Sequence, residues 1–180
     1  YDKELVRQVA VETGFDEKYI EQAGEYAPSK NWLSFGFAAR GSQGAMEGMS
    51  ANDFLWAIQC RVIRSLAEKE PCVIVGRCSD YVLGNRPECL KVFVYADLPS
   101  RVERCVEEYH IPADDMERRV TLMDRGRSNY YNYYTGHTWG DMRRYDLTLN
   151  SSTTGIEGAV DLIIALVHAR TAQDAAMQEV

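Results

Sequence analysis

The sequence predicts an α/β domain built on a parallel sheet, and three observations carry that expectation. Two short apolar runs without polar alternation, Cys72-Val-Ile-Val-Gly76 and Lys91-Val-Phe-Val-Tyr-Ala96, suit strands covered on both faces. Segments whose apolar residues recur at three and four lie before the first and after the second, and strands alternating with helices require crossover connections. The length, 180 residues, is that of about one domain, and residues 1–180 are read as one.

The elements follow in chain order. Asp2 stands where an N-cap opens a helix bearing Leu5, Val6, Val9 and Ala10, which Gly14 ends, and Asp16 caps a short second helix through Tyr19 and Ile20. Residues 25–49 set Pro28, Gly36, Gly41, Gly44 and Gly48 among Trp32, Phe35 and Phe37, which suits a flexible flap better than a core element. Ser50 with Asp53 resembles a capping box, and Leu55, Ile58, Val62 and Leu66 then mark one face of a helix. After the strands at 72–76 and 91–96, Pro99 sits in the first turn of a helix whose Val102, Cys105 and Val106 give its buried side, to about Tyr109.

A further helix is expected from near Asp114 through Met116, Val120 and Met123 toward Tyr131, followed by a loop from Gly136 to Gly140. Tyr145–Asn150 is the last strand. Thr154 and Glu157 read as a capping box for a helix carrying Ile156, Val160, Ile163, Ile164 and Val167, with fraying expected after Thr171. Three strands make a thin sheet.

Composition narrows the partners. Apolar residues are 46% and charged residues 26%, and no uninterrupted apolar run reaches the roughly 18 residues of a membrane span, so no membrane partner is expected. The net charge of −7 argues against a general nucleic-acid binder. Five cysteines, odd in number and never spaced C-x-x-C, suggest neither a disulfide framework nor a zinc knuckle, and with no signal-peptide pattern a reducing, cytoplasmic location is expected. His110, His137 and His168 are scattered singly and suggest no metal site. Oligomeric state is not legible.

Arginine outnumbers lysine 15 to 5, and residues 118–144 carry a net charge of +4 inside this acidic chain. Guanidinium stays charged and offers a planar fork that matches phosphate oxygens, so clustered arginines suit phosphate esters. A solvated helix face laced with i,i+4 ion pairs accounts for the same residues.

Taken in order, Tyr1-Asp-Lys-Glu-Leu, Pro71-Cys-Val-Ile-Val-Gly-Arg77, Val92-Phe-Val-Tyr-Ala96 with Arg101 five residues on, Asp124-Arg-Gly-Arg127, and Tyr130-Tyr-Asn-Tyr-Tyr-Thr-Gly136 through Trp139-Gly140 to Tyr145-Asp-Leu resemble the cytidylate kinase-like family. The resemblance covers nearly the whole chain. It implies the three-layer fold of P-loop nucleoside monophosphate kinases, with a parallel central sheet, residues 25–49 as acceptor-binding flap and 114–144 as helical lid. It implies ATP and Mg²⁺ as cofactors and small-molecule nucleotides as partners, the γ-phosphoryl group passing to a nucleoside monophosphate, CMP or dCMP first among them.

The same resemblance assigns residues. Arg77 corresponds to the arginine that holds the acceptor's phosphate, Arg101 to a second arginine near the nucleotides, and Asp2 to an acidic residue beside the acceptor nucleoside. Asp124 and Arg127 correspond to the catalytic lid pair, in which the aspartate orients arginines and the arginine supplies charge to the transferred group. Arg119 and Arg125 join the phosphate-binding set.

There are departures as well. The family's other lid arginine, four residues before the aspartate, is Val120 here, and its arginine six residues after Asp2 is Gln8, with Arg7 beside it. No G-x-x-x-x-G-K-[ST] occurs in the 180 residues, and a first strand with its glycine-rich loop is expected upstream of Tyr1. Two alternatives therefore stand beside the main reading: a kinase for another small molecule on this scaffold, or a nucleotide- or anion-binding module without catalysis.

Overall fold

A computed structural model describes residues 1–23 and 50–178. The flap expected at 25–49 lies outside the described residues. The chain is helix-rich α/β and divides into two compact units.

The first unit comprises Tyr1–Cys89 and Arg125–Trp139. It holds α1 (Lys3–Thr13), α2 (Glu17–Ala23), α3 (Ala51–Lys69), the single turn α4 (Ser79–Val82), and the C-terminal half of α6 (Met116–Thr135). Its core forms where the apolar faces of α1 and α3 meet. Leu5, Val6 and Val9 pack with Leu55, Ile58, Val62, Ile63 and Leu66, and Phe15, Ile20 and Leu83 close the cluster.

The ends of these helices follow local chemistry. Gly14, at φ 71°, donates its N–H to Ala10 O at 2.8 Å and closes α1 in the left-handed conformation that a β-carbon disfavours. The capping box of α3 is present in both directions: Asp53 N donates to Ser50 Oγ at 3.1 Å, and Ser50 Oγ donates to Asp53 Oδ2 at 2.7 Å. Ser50→Ala is therefore expected to cost about 1 kcal/mol. At roughly 2–4 °C per kcal/mol for a chain of this size, thermal denaturation reads that loss, and an unchanged midpoint contradicts it. Asp2 is different: it occupies the N-cap position of α1, yet its side chain makes no cap hydrogen bond.

The strand expected at 72–76 is corrected to an extended segment that lies outside any regular sheet. Its backbone is paired with one residue: Tyr1 N donates to Val73 O at 2.5 Å and Val75 N donates to Tyr1 O at 3.0 Å, which is parallel pairing of Tyr1 with Ile74. Nor is it covered on both faces. Ile74 packs against the core, whereas Val73 and Val75, pointing the other way, are 78% and 58% exposed.

The second unit comprises Leu90–Asp124 and Gly140–Val180. Here β1 (Val92–Tyr95) and β2 (Leu147–Asn150) pair in parallel, from Val92 opposite Leu147 to Tyr95 opposite Asn150. Among the described residues the sheet has two strands, where the sequence suggested three. Both of its ends are pinned. At the start, Lys91 N donates to the Asp146 carboxylate at 2.7 Å and Asp146 N donates to Lys91 O at 2.8 Å. At the far end, Ser151 Oγ donates to Tyr95 O at 3.2 Å and Asp97 N donates to Ser152 Oγ at 2.8 Å.

The unit also holds α5 (Leu98–Glu107), the N-terminal half of α6, a 3-10 turn (Met142–Arg144) and α7 (Ser151–Gln178). The expected buried side of α5 is only half-buried. The helix expected to open at Thr154 is present, with Gly155 rather than Thr154 at its start. Gly155, whose φ of 68° and ψ of 179° suit glycine alone, separates a short helical turn beginning at Ser151 from the long helix that carries Ile156, Val160, Ile163, Ile164 and Val167, the two together being α7. Thr154 Oγ1 instead donates to Asn150 O at 3.2 Å. The helix continues through the tail, to Gln178. By length and composition the helix Ser151–Met177 is apolar enough to cross a bilayer, holding an 18-residue window with a mean hydropathy of 1.2. A count of uninterrupted apolar runs passes over it because Glu157 and Asp161 break the run.

Candidate functional site

In the first unit the 71–75 segment leads into a left-handed turn. Gly76, Arg77 and Cys78 have φ of 67°, 57° and 56°, three consecutive residues in the region that L side chains avoid. For Arg77 and Cys78 this conformation costs about 1–2 kcal/mol each. Such strain persists only where the surroundings enforce it, and it concentrates at functional sites.

The enforcing contacts are visible. From α3, Gln59 Nε2 donates to Arg77 O at 3.1 Å and to Tyr130 Oη at 3.3 Å. Gln59 is 3% exposed and Tyr130 6%. Arg77 Nη1 donates to Ile20 O, on α2, at 3.3 Å. Cys78 is buried against Tyr130 and Tyr131, with Trp56, Tyr134 and Trp139 packed around them, the Trp56 and Tyr134 rings stacked at 4.5 Å. Tyr131 Oη donates to Asp80 Oδ2 at 2.7 Å and ties the turn of α4 to α6. Four of the tyrosines between 130 and 145 therefore sit on this stretch of α6, three of them packed into the aromatic cluster, while the Tyr145 ring meets Phe93 at a tilt in the second unit.

Asp2 belongs to the same end of this unit. Pairing of Tyr1 with Ile74 sets Asp2 level with Val75, so Asp2 and the Gly76-Arg77 turn both leave the carboxyl ends of parallel extended segments. Ligands in open α/β proteins bind at such ends.

A recess opens nearby, lined by Val9, Ile20, Leu55, Gln59, Tyr130 and Tyr134. Asn52 also lines it, and its buried Oδ1 has no hydrogen-bond partner among the described residues. Neither Gln59 nor Asn52 was singled out from the sequence. The signal was present: both fall on the apolar face of α3, at positions three and four from Leu55, where a polar residue demands a buried partner.

In the second unit Arg101 and Asp124 form a bidentate ion pair, Nη1 to Oδ2 at 2.5 Å and Nη2 to Oδ1 at 2.8 Å. Both side chains are less than a third exposed, and the two parallel bonds fix the guanidinium plane. This pair joins α5 to α6 across 23 residues of sequence. Other members of the arginine cluster make the local surface pairs that the simpler reading expects: Arg118 with Asp115 at 2.9 Å, Arg143 with Asp141 at 2.8 Å, and Arg104 with Glu108 at 3.7 Å. The Arg143 hydrogen bonds hold the Asp141 carboxyl below the usual carboxylate range.

Helical spacing sorts the remaining lid residues. Val120, Asp124, Arg127 and Tyr131 recur at four, three and four, on one face of α6. Val120 is buried there, so the position that carries an arginine in the resembled pattern is a packing position in this chain. Arg127 is exposed on that face. Arg125 lies about 160° around the helix from Arg127, and the exposed Arg119 about 80°. The structure thus places neither of these two with the Asp124 and Arg127 face. At Gln8 the neighbouring Arg7 is exposed and pairs with Glu4 at 3.8 Å.

The sequence model of the cytidylate kinase-like family matches residues 1–153. The chain belongs to the cytidylate kinase-like family. Every site residue named above lies inside the matched stretch, and the family membership carries a kinase-type, nucleotide-directed function at that coarse level. Among solved structures, the chain is similar to the crystal structure of an uncharacterized protein from Eubacterium ventriosum ATCC 27560, at 21% identity, a TM-score of 0.61, and coverage of 91% of this chain and 89% of that one. That likeness is one of fold. No curated protein matches the chain.

The cysteines of this cytidylate kinase-like chain are free thiols of unequal reactivity. Burial pushes the Cys60 thiol up to about 11, and burial with the nearby Asp80 raises Cys78 further, whereas Cys72 is exposed. A thiol alkylates through its thiolate. Timed alkylation with iodoacetamide at pH 8, read by peptide mass spectrometry, is expected to label Cys72 well before Cys60 and Cys78. Equal rates contradict the packing of the aromatic cluster.

Proposed function

We propose that the protein transfers the γ-phosphoryl group of ATP, presented as its Mg²⁺ complex, to a nucleoside monophosphate, with CMP or dCMP as acceptor. The observation that carries this reading is Arg77: a guanidinium on a strained, enforced turn at the carboxyl end of an extended segment, in a chain of a cytidylate kinase-like family. A phosphate ester offers the oxygens that such a fixed fork binds.

In this reading an oxygen of the acceptor's phosphate attacks the γ-phosphorus, the bond from that phosphorus to the β,γ-bridging oxygen breaks, and ADP leaves with the electron pair. The chain's residues contribute charge and position. Arg77 holds the acceptor phosphate, and Asp2 stands beside the acceptor nucleoside. Arg127 neutralises charge on the group in flight, and Asp124 orients arginine, as its fork with Arg101 supports. Arg119 and Arg125 serve as outlying phosphate-attracting charges. The three-layer fold of P-loop kinases and a reducing, cytoplasmic setting belong to the same reading, the latter supported by the free cysteines.

No group of three or more His, Cys, Asp or Glu side chains that could hold a metal occurs among the described residues. The described residues do not fit a resident metal cage, and Mg²⁺ enters here as part of the nucleotide substrate.

Calorimetric titration tests the acceptor. CMP is expected to bind and cytidine, which lacks the phosphate, to bind at least about tenfold more weakly. Equal affinities overturn the assignment of Arg77 to phosphate.

A further inference from the structure

We propose that Gln59 is a positioning residue that acts through Arg77, setting where the Arg77 guanidinium meets the acceptor's phosphate; this rests on the reading of Arg77 given above. The amide of Gln59 has two N–H groups, and both are used: one goes to the carbonyl of Arg77 at 3.1 Å, the other to Tyr130 Oη at 3.3 Å. The first bond reaches the carbonyl of the middle one of three consecutive left-handed residues. The second anchors the amide plane to α6, through a tyrosine that packs against Trp56 and Tyr134.

Other contacts hold the far side of the turn: Ser79 N donates to Gly76 O at 3.0 Å, and Cys78 is buried in the aromatic cluster. Ahead of it, the 71–75 segment lies outside any regular sheet, and behind it α4 is a single turn of helix. Adding a β-carbon at Gly76 meets nothing within 4 Å, so close packing does not fix the turn there. Among the described residues, the Arg77 side chain donates to a backbone carbonyl on α2. The carbonyl of Arg77 itself is held by the amide of Gln59, which is buried with Tyr130 inside the first unit. A polar side chain on the apolar face of α3 is explained by this role, since leucine would fill the same volume without orienting anything.

The test is a double-mutant cycle read by calorimetric titration of CMP into the wild type, Gln59→Leu, Arg77→Ala and the double variant, with thermal midpoints measured alongside. Gln59→Leu is expected to weaken CMP about tenfold in the wild-type background, the loss of one well-formed hydrogen bond's effect. In the Arg77→Ala background the same change is expected to cost less than about twofold, because the two residues act as one unit. Tyr130→Phe, which removes only the hydroxyl that holds the amide, is expected to weaken CMP about threefold in the same dependent way, and it carries the cycle if the leucine variant does not fold.

An equal loss in both backgrounds, or none in either, overturns the positioning role and leaves Arg77's own assignment standing. Arg77→Ala binding CMP like the wild type, or wild type binding neither CMP nor dCMP, overturns the reading of the site and this proposal with it.

Discussion

Arg77→Ala is expected to weaken CMP about 100-fold while shifting the thermal midpoint by no more than a few degrees. The affinity loss is that of a charge-assisted, forked contact with phosphate, worth about 1.5–3 kcal/mol. The small stability change follows from what the structure shows the side chain doing. Among the described residues its guanidinium bonds only to Ile20 O, at 3.3 Å, and alanine at φ 57° suffers the same left-handed strain as arginine. Arg77→Gly separates the two effects: it loses the phosphate contact equally but relieves about 1 kcal/mol of backbone strain, so it is expected to melt above the alanine variant. Calorimetry and thermal denaturation check both. A glycine variant less stable than the alanine variant contradicts the strained turn, and an alanine variant that keeps its CMP affinity contradicts the phosphate role.

Arg127→Ala is expected to lower kcat about 1,000-fold with KM for CMP changed by less than about threefold, the pattern of an interaction made mainly in the transition state. The residue is exposed on α6, and alanine is a strong helix former, so stability should stay within about 0.5 kcal/mol. Steady-state kinetics with thermal denaturation of the same samples decides it. Parallel losses in turnover and stability contradict a role in charge stabilisation.

Much of the helical framework was legible because its signals are local. Gly14 closing α1, the reciprocal Ser50 and Asp53 bonds opening α3, and the apolar face from Leu55 to Leu66 all depend on residues within a few positions of one another. The misreadings are tertiary in origin. An apolar run at 72–76 implies burial on two faces, but Val73 and Val75 are uncovered, and a strand needs a neighbour along more than the single residue Tyr1. At the start of α7, Ser151 and Ser152 tie back to Tyr95 and Asp97, which holds a separate helical turn ahead of the Thr154 signal, and Gly155 breaks it from the long helix that follows.

The candidate site divides in the same way. Arg77 and the Asp124 to Arg127 stretch could be picked out because they lie in motifs that resemble the cytidylate kinase-like family, whereas composition alone showed only an arginine-rich stretch at 118–144. The Arg101 fork on Asp124 spans 23 residues, and the support of Gln59 for the Arg77 turn spans 18, so neither follows from spacing along one helix. What the sequence did contain was the anomaly itself, two amides on the apolar face of α3. A rule that asks every polar residue on an apolar stripe for its partner would have flagged both.

The most direct test of the central claim is transfer of label. The full-length protein is incubated with Mg²⁺, [γ-³²P]ATP and either CMP or dCMP, and the nucleotides are separated. Labelled CDP or dCDP that requires both the acceptor and Arg127 is the predicted result; CMP that binds while no label leaves ATP for either acceptor would contradict it.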